Sequence, residues 1–228
     1  MKVPTWQIEP EPPLHKYRKL RLYFAYLFIF VLIFLAKTSN SGFLFGIPVI
    51  FLGEAIRLWS HGYLRKAKEL ATDGPYAYVR NPLYVGNFLI GLGFSVIIWN
   101  PLVVALYTSG FLAVYWITIK GEEQRLSVKF KDQFQDYIKH VPRFIPHFIP
   151  YSKRSYSKFE FHRITGHGEQ ITIFAIINSL LFLYLRQEIF QEGKAFTSPE
   201  LVIFDALLII NSLLLIGTII QRRFKKNV

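Results

Sequence analysis

Long apolar runs constrain this chain more than any other feature. Six of them, each near the roughly 20 residues that a helix needs to cross a bilayer, are separated by shorter polar segments. They cover approximately residues 20–36, 43–59, 83–99, 102–119, 171–185 and 201–220. Since lipid offers the backbone no hydrogen-bond partners, runs of this length must satisfy their own backbone groups as helices. The sequence therefore predicts an all-α fold, a polytopic transmembrane helical bundle with about six spans.

The distribution of basic residues predicts how this bundle is oriented. With the N-terminus placed in the cytoplasm, 23 of the 27 Lys and Arg residues fall on the cytoplasmic side and three fall on the other side. This bias follows the positive-inside rule, so both termini are predicted to be cytoplasmic in a multi-pass integral membrane protein. The net charge of +12 sits beside apolar runs. It therefore favours anionic lipid headgroups over nucleic acid as partners.

The polar segments suggest a division of the chain. Residues Leu126, Phe130, Phe134 and Ile138 recur every four positions, which predicts a cytoplasmic amphipathic helix over 122–139. The predicted divisions are an N-terminal cytoplasmic segment (1–19), a membrane core of four spans with that helix (20–150), a linker (151–170), and two further spans with a basic tail (171–228).

Charged residues in or beside the apolar runs are the first candidates for chemistry. Glu54 and Arg57 stand three residues apart in the second run, and are predicted to pair on one helix face. Glu122 lies on the line of the apolar stripe, whereas Glu123 is turned away from it. A carboxylate on that line needs a cationic or hydrogen-bonding partner. Arg125 or a bound cationic ligand could supply it, and a plain helix-start carboxylate remains the alternative.

The stretch before the third run has the chemistry of a turn that leads into a helix. Asn81 suits an N-cap and Pro82 suits the first helical turn. One interpretation is simply a well-formed helix start. The other is an anion site, because free backbone amides lie beside Arg80 on the cytoplasmic side.

Other kinds of chemistry find little support in the sequence. The chain has no cysteine, and its six histidines lack metal-ligand spacing, so no metal site is predicted. The sequence also carries no nucleophile elbow, no P-loop and no Rossmann fingerprint.

Several motifs taken together resemble a known family. Gly74-Pro75-Tyr76-x-x-Val79-Arg80-Asn81-Pro82-x-Tyr84-x-Gly86 is followed by a helical hairpin, by Glu122-Glu123, and by Tyr137 and Val141-Pro142. From about residue 46 to residue 150, this order and spacing resembles the isoprenylcysteine carboxyl methyltransferase family, to which phospholipid methyltransferases are related. The resemblance implies an integral membrane enzyme that binds S-adenosylmethionine at the cytoplasmic surface. It also implies a lipid-like or isoprenoid-like methyl acceptor, with carboxyl O-methylation favoured.

The same resemblance implies a set of cofactor-binding residues. Tyr76 would pack on the cofactor, Glu122 would bind it, and the stretch from Lys68 to Ala71 would meet it as an extended strand-like segment. The full implied set is His61, Lys68, Glu69, Leu70, Ala71, Tyr76, Arg80, Asn81, Pro82, Leu83, Tyr84 and Glu122.

Two departures from the family pattern bear on the cofactor site and on the acceptor, respectively. Asn81 stands where the family usually has His, and Thr118 stands where the carboxyl methyltransferases have an Arg that meets the substrate carboxylate. Glu122 and Lys120 are therefore the candidates for a catalytic role. The alternatives are a phospholipid N-methyltransferase, an NADPH-dependent sterol or steroid reductase-like membrane enzyme, and a non-catalytic lipid-binding membrane protein.

Overall fold

Helices make up the regular structure of the protein. The computed structural model describes residues 20–34, 37–65 and 69–227, and this part of the chain forms seven α-helices and no strand. The helices are α1 (Leu20–Phe34), α2 (Asn40–Tyr63), α3 (Pro82–Ile97), α4 (Pro101–His140), α5 (Phe161–His167), α6 (Glu169–Phe190) and α7 (Pro199–Asn227). A short 3-10 turn, Gly74–Ala77, lies between α2 and α3. The prediction of an all-helical fold is confirmed.

Four helices have the length and apolarity to cross a membrane: α2, α4, α6 and α7. Little of each apolar window is buried inside the protein, 22% at most, so most of this surface faces outward, as lipid-contacting surface does. With 15 and 16 residues, α1 and α3 are shorter. At 1.5 Å per residue they reach only about 24 Å, less than the roughly 30 Å of a hydrocarbon core. The chain is an integral membrane protein, and the predicted count of six spans is approximate.

Glycines bring α2 and α3 into backbone contact. A Cβ atom built on Gly46 would lie 2.5 Å from the carbonyl oxygen of Gly93, and one built on Gly53 would lie 2.7 Å from that of Gly86. Such small-residue faces allow membrane helices to approach closely. The spacing Gly42-x-x-x-Gly46 is the sequence signal for this packing. The pair sets the relative positions of the end of α2 and the start of α3.

Helix α4 links the apolar helical bundle to the polar side of the protein, where the 3-10 turn lies. Its N-cap, Asn100, accepts a hydrogen bond from the backbone N–H of Leu102 at 2.9 Å, and the short connection through Asn100-Pro101 makes α3 and α4 a tight hairpin. The predicted amphipathic helix 122–139 is not a separate element. Because no proline or turn follows the span, α4 continues through it to His140, bent at Lys131 (φ 42°, ψ −119°).

The bundle and the polar side each have an apolar cluster. Within the bundle, α2, α3 and α6 share the buried residues Ile50, Phe94, Ile97, Ile98 and Leu183. The second cluster joins residues around the 3-10 turn to the C-terminal end of α4. It consists of Leu70, Ala77, Phe134, Tyr137, Val141 and Tyr151.

The predicted linker 151–170 is well anchored to the core. The carboxylate of Asp73 accepts hydrogen bonds from the hydroxyl of Ser155, from the hydroxyl and backbone N–H of Ser157, and from the backbone N–H of Tyr156. The ring of Phe159 lies against Gly62, leaving no space for a Cβ atom there. The second half of this stretch contains α5 and the start of α6. We call residues 151–160 the strap, because they tie the 3-10 turn to α5.

Candidate functional site

A buried ionic cluster lies where the end of α2 meets the start of α6. The guanidinium of Arg57 donates to both carboxylate oxygens of Glu169, at 2.6 and 2.7 Å. The Nε2 atom of His61 lies 2.7 Å from the second of these oxygens. The Glu169 side chain is only 2% exposed. At such burial a carboxylate requires paired charges and hydrogen bonds, and the cluster provides both.

The predicted pair of Glu54 and Arg57 is present, but it is not the dominant contact. Their nearest atoms lie 3.6 Å apart, farther than the contacts of Arg57 with Glu169. Arg57 also donates to the side chains of Asn87 and Thr172. Glu169 was missed from the sequence. The available signal was a carboxylate directly at the edge of an apolar run, which is uncommon unless it has a partner.

Glu122 lies at a second cluster, between α1, α3 and α4. It accepts a hydrogen bond from the hydroxyl of Tyr84 at 2.7 Å, and Arg21 lies 3.7 Å from the same oxygen. Arg21 in turn donates to the Tyr84 hydroxyl at 3.1 Å. The Glu122 side chain is 42% exposed, so it keeps room for a further partner. Arg21 and Tyr84 thus supply a cationic and a hydrogen-bonding partner, the kinds of partner for which the sequence suggested Arg125 or a bound cationic ligand.

Glu123 corrects the interpretation of the acidic pair. The sequence placed it away from the buried side, yet its side chain is only 12% exposed. It binds Arg80 at 2.8 Å and Arg143 at 2.6 Å. The loop after α4 folds back and carries Arg143 to this position, which helical spacing alone does not reveal. Burial lowers the pKa of Arg80, and Glu123 partly offsets that effect.

Tyr76 lies in the 3-10 turn and is almost completely buried. Its backbone carbonyl accepts a hydrogen bond from Tyr137 at 2.7 Å, which fixes the turn against α4. Its hydroxyl, by contrast, has no hydrogen-bond partner within the described part of the chain. Burial raises the pKa of Tyr76, the charge of Glu122 raises it further, and Arg57 acts in the opposite direction. Tyr76 is therefore within electrostatic reach of both clusters.

The start of α3 is as predicted in position but not in its cap. Asn81 is the N-cap residue and Pro82 opens the helix, but the Asn81 side chain makes no capping bond. Its amide donates instead to the carbonyl of Arg143 at 3.0 Å. Pro82 and Tyr84 are buried and Leu83 is half-buried. The α3 start is thus tied to the loop that follows α4.

The remaining predicted residues are more dispersed. Lys68 lies outside the described residues. Glu69 is exposed and pairs with Arg65 at 2.8 Å, Leu70 is buried, and Ala71 is half-buried. The stretch from Glu69 to Ala71 is irregular rather than a strand.

Thr118 occupies the position at which the carboxyl methyltransferases have an Arg, and its side chain and that of the nearby Lys120 make different contacts. The buried Thr118 hydroxyl donates to the carbonyl of Val114 at 3.0 Å. Lys120 is exposed and lies over the ring of Trp116, 5.5 Å from its centre. Within the described residues, no cluster of three or more His, Cys, Asp or Glu side chains could hold a metal ion.

Comparison with known proteins places this site in context. A sequence model described as phospholipid methyltransferase matches residues 41–133, from α2 into α4. The nickel-cobalt-cadmium resistance protein of Alcaligenes xylosoxydans xylosoxydans is 37% identical over 83 residues, which are 36% of this chain and 38% of that protein. The cobalt-zinc-cadmium resistance protein of Cupriavidus metallidurans is 34% identical over 94 residues, 40% of this chain and 43% of the other.

A third relative carries a methyltransferase name. The protein-S-isoprenylcysteine O-methyltransferase of Tribolium castaneum is 38% identical over 68 residues, 30% of this chain and 24% of its own length. The matches thus span less than half of each relative. Together they confirm the predicted resemblance: residues 41–133 are similar to the phospholipid methyltransferase family and to isoprenylcysteine O-methyltransferases.

Proposed function

We propose that this chain is an integral membrane methyltransferase that takes its methyl group from S-adenosylmethionine and delivers it to a lipid-like acceptor. The similarity of residues 41–133 to methyltransferases supports the reaction class. The observation that carries the proposal is the orphaned hydroxyl of Tyr76, buried within reach of the charges of Glu122 and Arg57. A buried polar group without a partner is destabilising, which a ligand that binds there would relieve.

The residues of this region fit such a cofactor chemically. S-adenosylmethionine carries an ammonium group, a carboxylate, a sulfonium and an adenosine. The partly exposed Glu122 can accept from a cationic group. The Tyr76 hydroxyl can donate to an anionic one. His61, Arg80 and the stretch 68–71 complete the proposed contact set.

The sulfonium of the cofactor makes its methyl group electrophilic toward an in-line nucleophile. The protein's share of the work is then to hold both reactants in line and to exclude water. The buried ring of Tyr84 packs edge-on against the ring of Tyr115, with 5.1 Å between the ring centres, and the two rings shield one side of Glu122 from water. A carboxylate acceptor needs no base, whereas an amine must lose a proton. Glu123 is neutralised by two guanidinium groups, so Glu122 and His61 are the candidate bases.

Two sets of observations favour different methyl acceptors. Similarity to the isoprenylcysteine O-methyltransferases favours a carboxylate. The family model of the phospholipid methyltransferases, and the uncharged Thr118 in place of Arg, favour the amine of a phospholipid headgroup. Carboxyl O-methylation remains the first proposal, with Lys120 as the nearest cation in sequence. The charge bias supports a cofactor site on the cytoplasmic side, beside anionic headgroups.

Calorimetry with the purified chain tests the proposal. Wild-type protein should bind S-adenosylmethionine, and Glu122→Ala should abolish binding. The matched control is Asp132→Ala, which removes an exposed carboxylate from the same helix and should bind normally. Unchanged binding by Glu122→Ala would contradict the site. A thermal shift with NADPH but not with S-adenosylmethionine would favour the reductase-like alternative, and a response to neither would favour the non-catalytic one.

Product analysis then identifies the acceptor. The protein is incubated with native lipid extract and methyl-labelled S-adenosylmethionine, and the labelled products are analysed by mass. A base-labile methyl ester indicates a carboxylate acceptor, whereas a stable N-methyl headgroup indicates a phospholipid amine. Absence of any labelled lipid would count against methyl transfer to this class of acceptor.

A further inference from the structure

The C-terminal helices reach into the proposed cofactor site through Glu169. This residue is the first of α6 and lies 36 positions beyond the end of the segment that matches the family model. Its partners Arg57 and His61 both lie inside that segment, near the end of α2. The three side chains are buried, and the contacts among them are 2.6–2.7 Å long. A group from outside the matched segment thus completes a charged cluster inside it.

Glu169 orients the imidazole of His61. As an acceptor, the carboxylate requires a proton on Nε2 of the imidazole, which fixes the tautomer of a neutral ring. The contact also fixes the plane of the ring. Carboxylate groups behind histidine ligands play this orienting role at many protein sites, and removing them commonly weakens ligand binding or activity by about 10-fold to 100-fold.

The charge balance gives a second reason for the arrangement. The Arg57 side chain is only 12% exposed, and an unpaired guanidinium there would be strongly destabilising. Both oxygens of Glu169 bind it, with Asn87 and Thr172 as further partners. Glu169 therefore holds Arg57 in one rotamer, so that the charge acts on Tyr76 from a fixed position.

We propose that Glu169 is a positioning residue for the cofactor pocket, acting through His61, and that α6 thereby forms part of the functional unit. The inference rests on the proposed function, because it concerns affinity for S-adenosylmethionine. It assigns to the C-terminal part of the chain a role beyond membrane anchoring.

A double-mutant cycle measured by calorimetry with S-adenosylmethionine tests this role. Glu169→Gln keeps the shape of the side chain and removes its charge. The dissociation constant should rise by about 10-fold or more, by analogy with other groups that orient histidines, while the binding stoichiometry stays unchanged. In a His61→Ala background, Glu169→Gln should add no more than about a twofold change, because the two residues act as one unit.

The matched control is Glu188→Gln on the same helix. Glu188 is also buried and ion-paired, with Lys194 at 2.5 Å, but it lies at the other end of α6, about 28 Å away at 1.5 Å per residue. It should leave the dissociation constant unchanged. A purely structural role for Glu169 would lower the stoichiometry, since fewer molecules would be folded, without changing the dissociation constant.

The outcomes separate this inference from the proposed function. Wild-type protein that does not bind S-adenosylmethionine refutes both. Wild-type binding with a normal dissociation constant in Glu169→Gln refutes only the role of Glu169, as does an equal effect of Glu169→Gln with and without His61. If Glu169→Gln does not fold, Arg57→Met/Glu169→Gln removes the uncompensated charge. The same cycle with His61→Ala is then measured in the Arg57→Met background.

Discussion

Asp73 joins the 3-10 turn to the strap, and its replacement by Asn should release the strap. One carboxylate oxygen accepts from the N–H of Tyr156 at 2.8 Å. The other accepts from the Ser155 hydroxyl and from both the N–H and the hydroxyl of Ser157, at 2.6–2.8 Å. Tyr156 itself has a φ of 54°, a left-handed conformation that a non-glycine residue holds only at a cost.

The size of the effect follows from these contacts. An Asn side chain offers only one oxygen, so its NH2 group must face either the Tyr156 N–H or the donors of Ser155 and Ser157. One buried donor then loses its partner, at about 1–3 kcal/mol, and the remaining bonds lose their charge assistance. We expect a total of about 3 kcal/mol against strap closure. At tenfold per 1.4 kcal/mol, this corresponds to about 100-fold more frequent opening.

Amide hydrogen exchange measures this opening directly. Protection of the Tyr156 and Ser157 amides should fall by about 100-fold in Asp73→Asn, while α2 and α3 keep their protection. Asp132→Asn, at an exposed position, is the control. A fall of less than threefold at Tyr156 and Ser157 would refute the assignment of Asp73 as the anchor of the strap.

Acid should have the same effect as the substitution. Burial alone would raise the pKa of Asp73, but the hydrogen bonds from Ser155, Ser157 and Tyr156 outweigh it and hold the pKa below its ordinary value of 3.8. Because the folded-state pKa is depressed, the stabilisation is complete well above pH 3.8 and is lost as the pH falls through the folded-state value. Pepsin cleavage of the wild-type strap should therefore begin only in strong acid. In Asp73→Asn it should be fast at every acidic pH.

Three further substitutions test other parts of the structure. Tyr76→Phe removes a buried hydroxyl without a partner, so the ligand-free protein should be as stable as wild type or up to about 1 kcal/mol more stable. Calorimetry should nevertheless show weaker binding of S-adenosylmethionine. A loss of thermal stability would contradict this account. Gly46→Ala places a Cβ atom 2.5 Å from a backbone oxygen and should destabilise the protein by about 1–3 kcal/mol in thermal denaturation. The control is Gly217→Ala, at a position with open space around it, which should be neutral or stabilising. Glu123→Gln leaves Arg80 and Arg143 without a counter-charge and should destabilise by about 3 kcal/mol, and an unchanged melting temperature would count against that network.

Much of the helical framework follows from local sequence properties. Apolar runs and the Asn100-Pro101 turn predict helices and a hairpin, since backbone satisfaction in lipid leaves few alternatives. Helix ends are less well determined. The predicted fifth span, 171–185, is in fact 169–190, because Glu169 and Glu188 are buried with partners and can therefore belong to the helix.

The candidate site was only partly predictable, because its contacts join residues distant in the chain. Helical spacing could place Glu54 beside Arg57, but it could not bring Glu169 there across 112 positions. Spacing likewise assigned Glu123 to the outer face. The loop after α4 returns Arg143 to cover it, and such a return depends on tertiary packing. For Tyr76, motif order suggested a ligand contact, but only the folded structure shows that its buried hydroxyl has no hydrogen-bond partner among the described residues.

The contact between α2 and α3 also determines which parts of the protein can move. Where the two helices touch at Gly46–Gly93 and Gly53–Gly86, with the side chains of Ile97 and Ile90 packed beside the contacts, sliding would drive backbone atoms into one another. His61 near the end of α2 and Asn81 at the start of α3 are therefore carried on one rigid body. Access to the buried Tyr76 would therefore need movement of α4, which is bent at Lys131 and packs on the turn through Tyr137, or of the strap. If the proposed cofactor binds there, its entry and release would require these flanking segments to move around a fixed pair of helices.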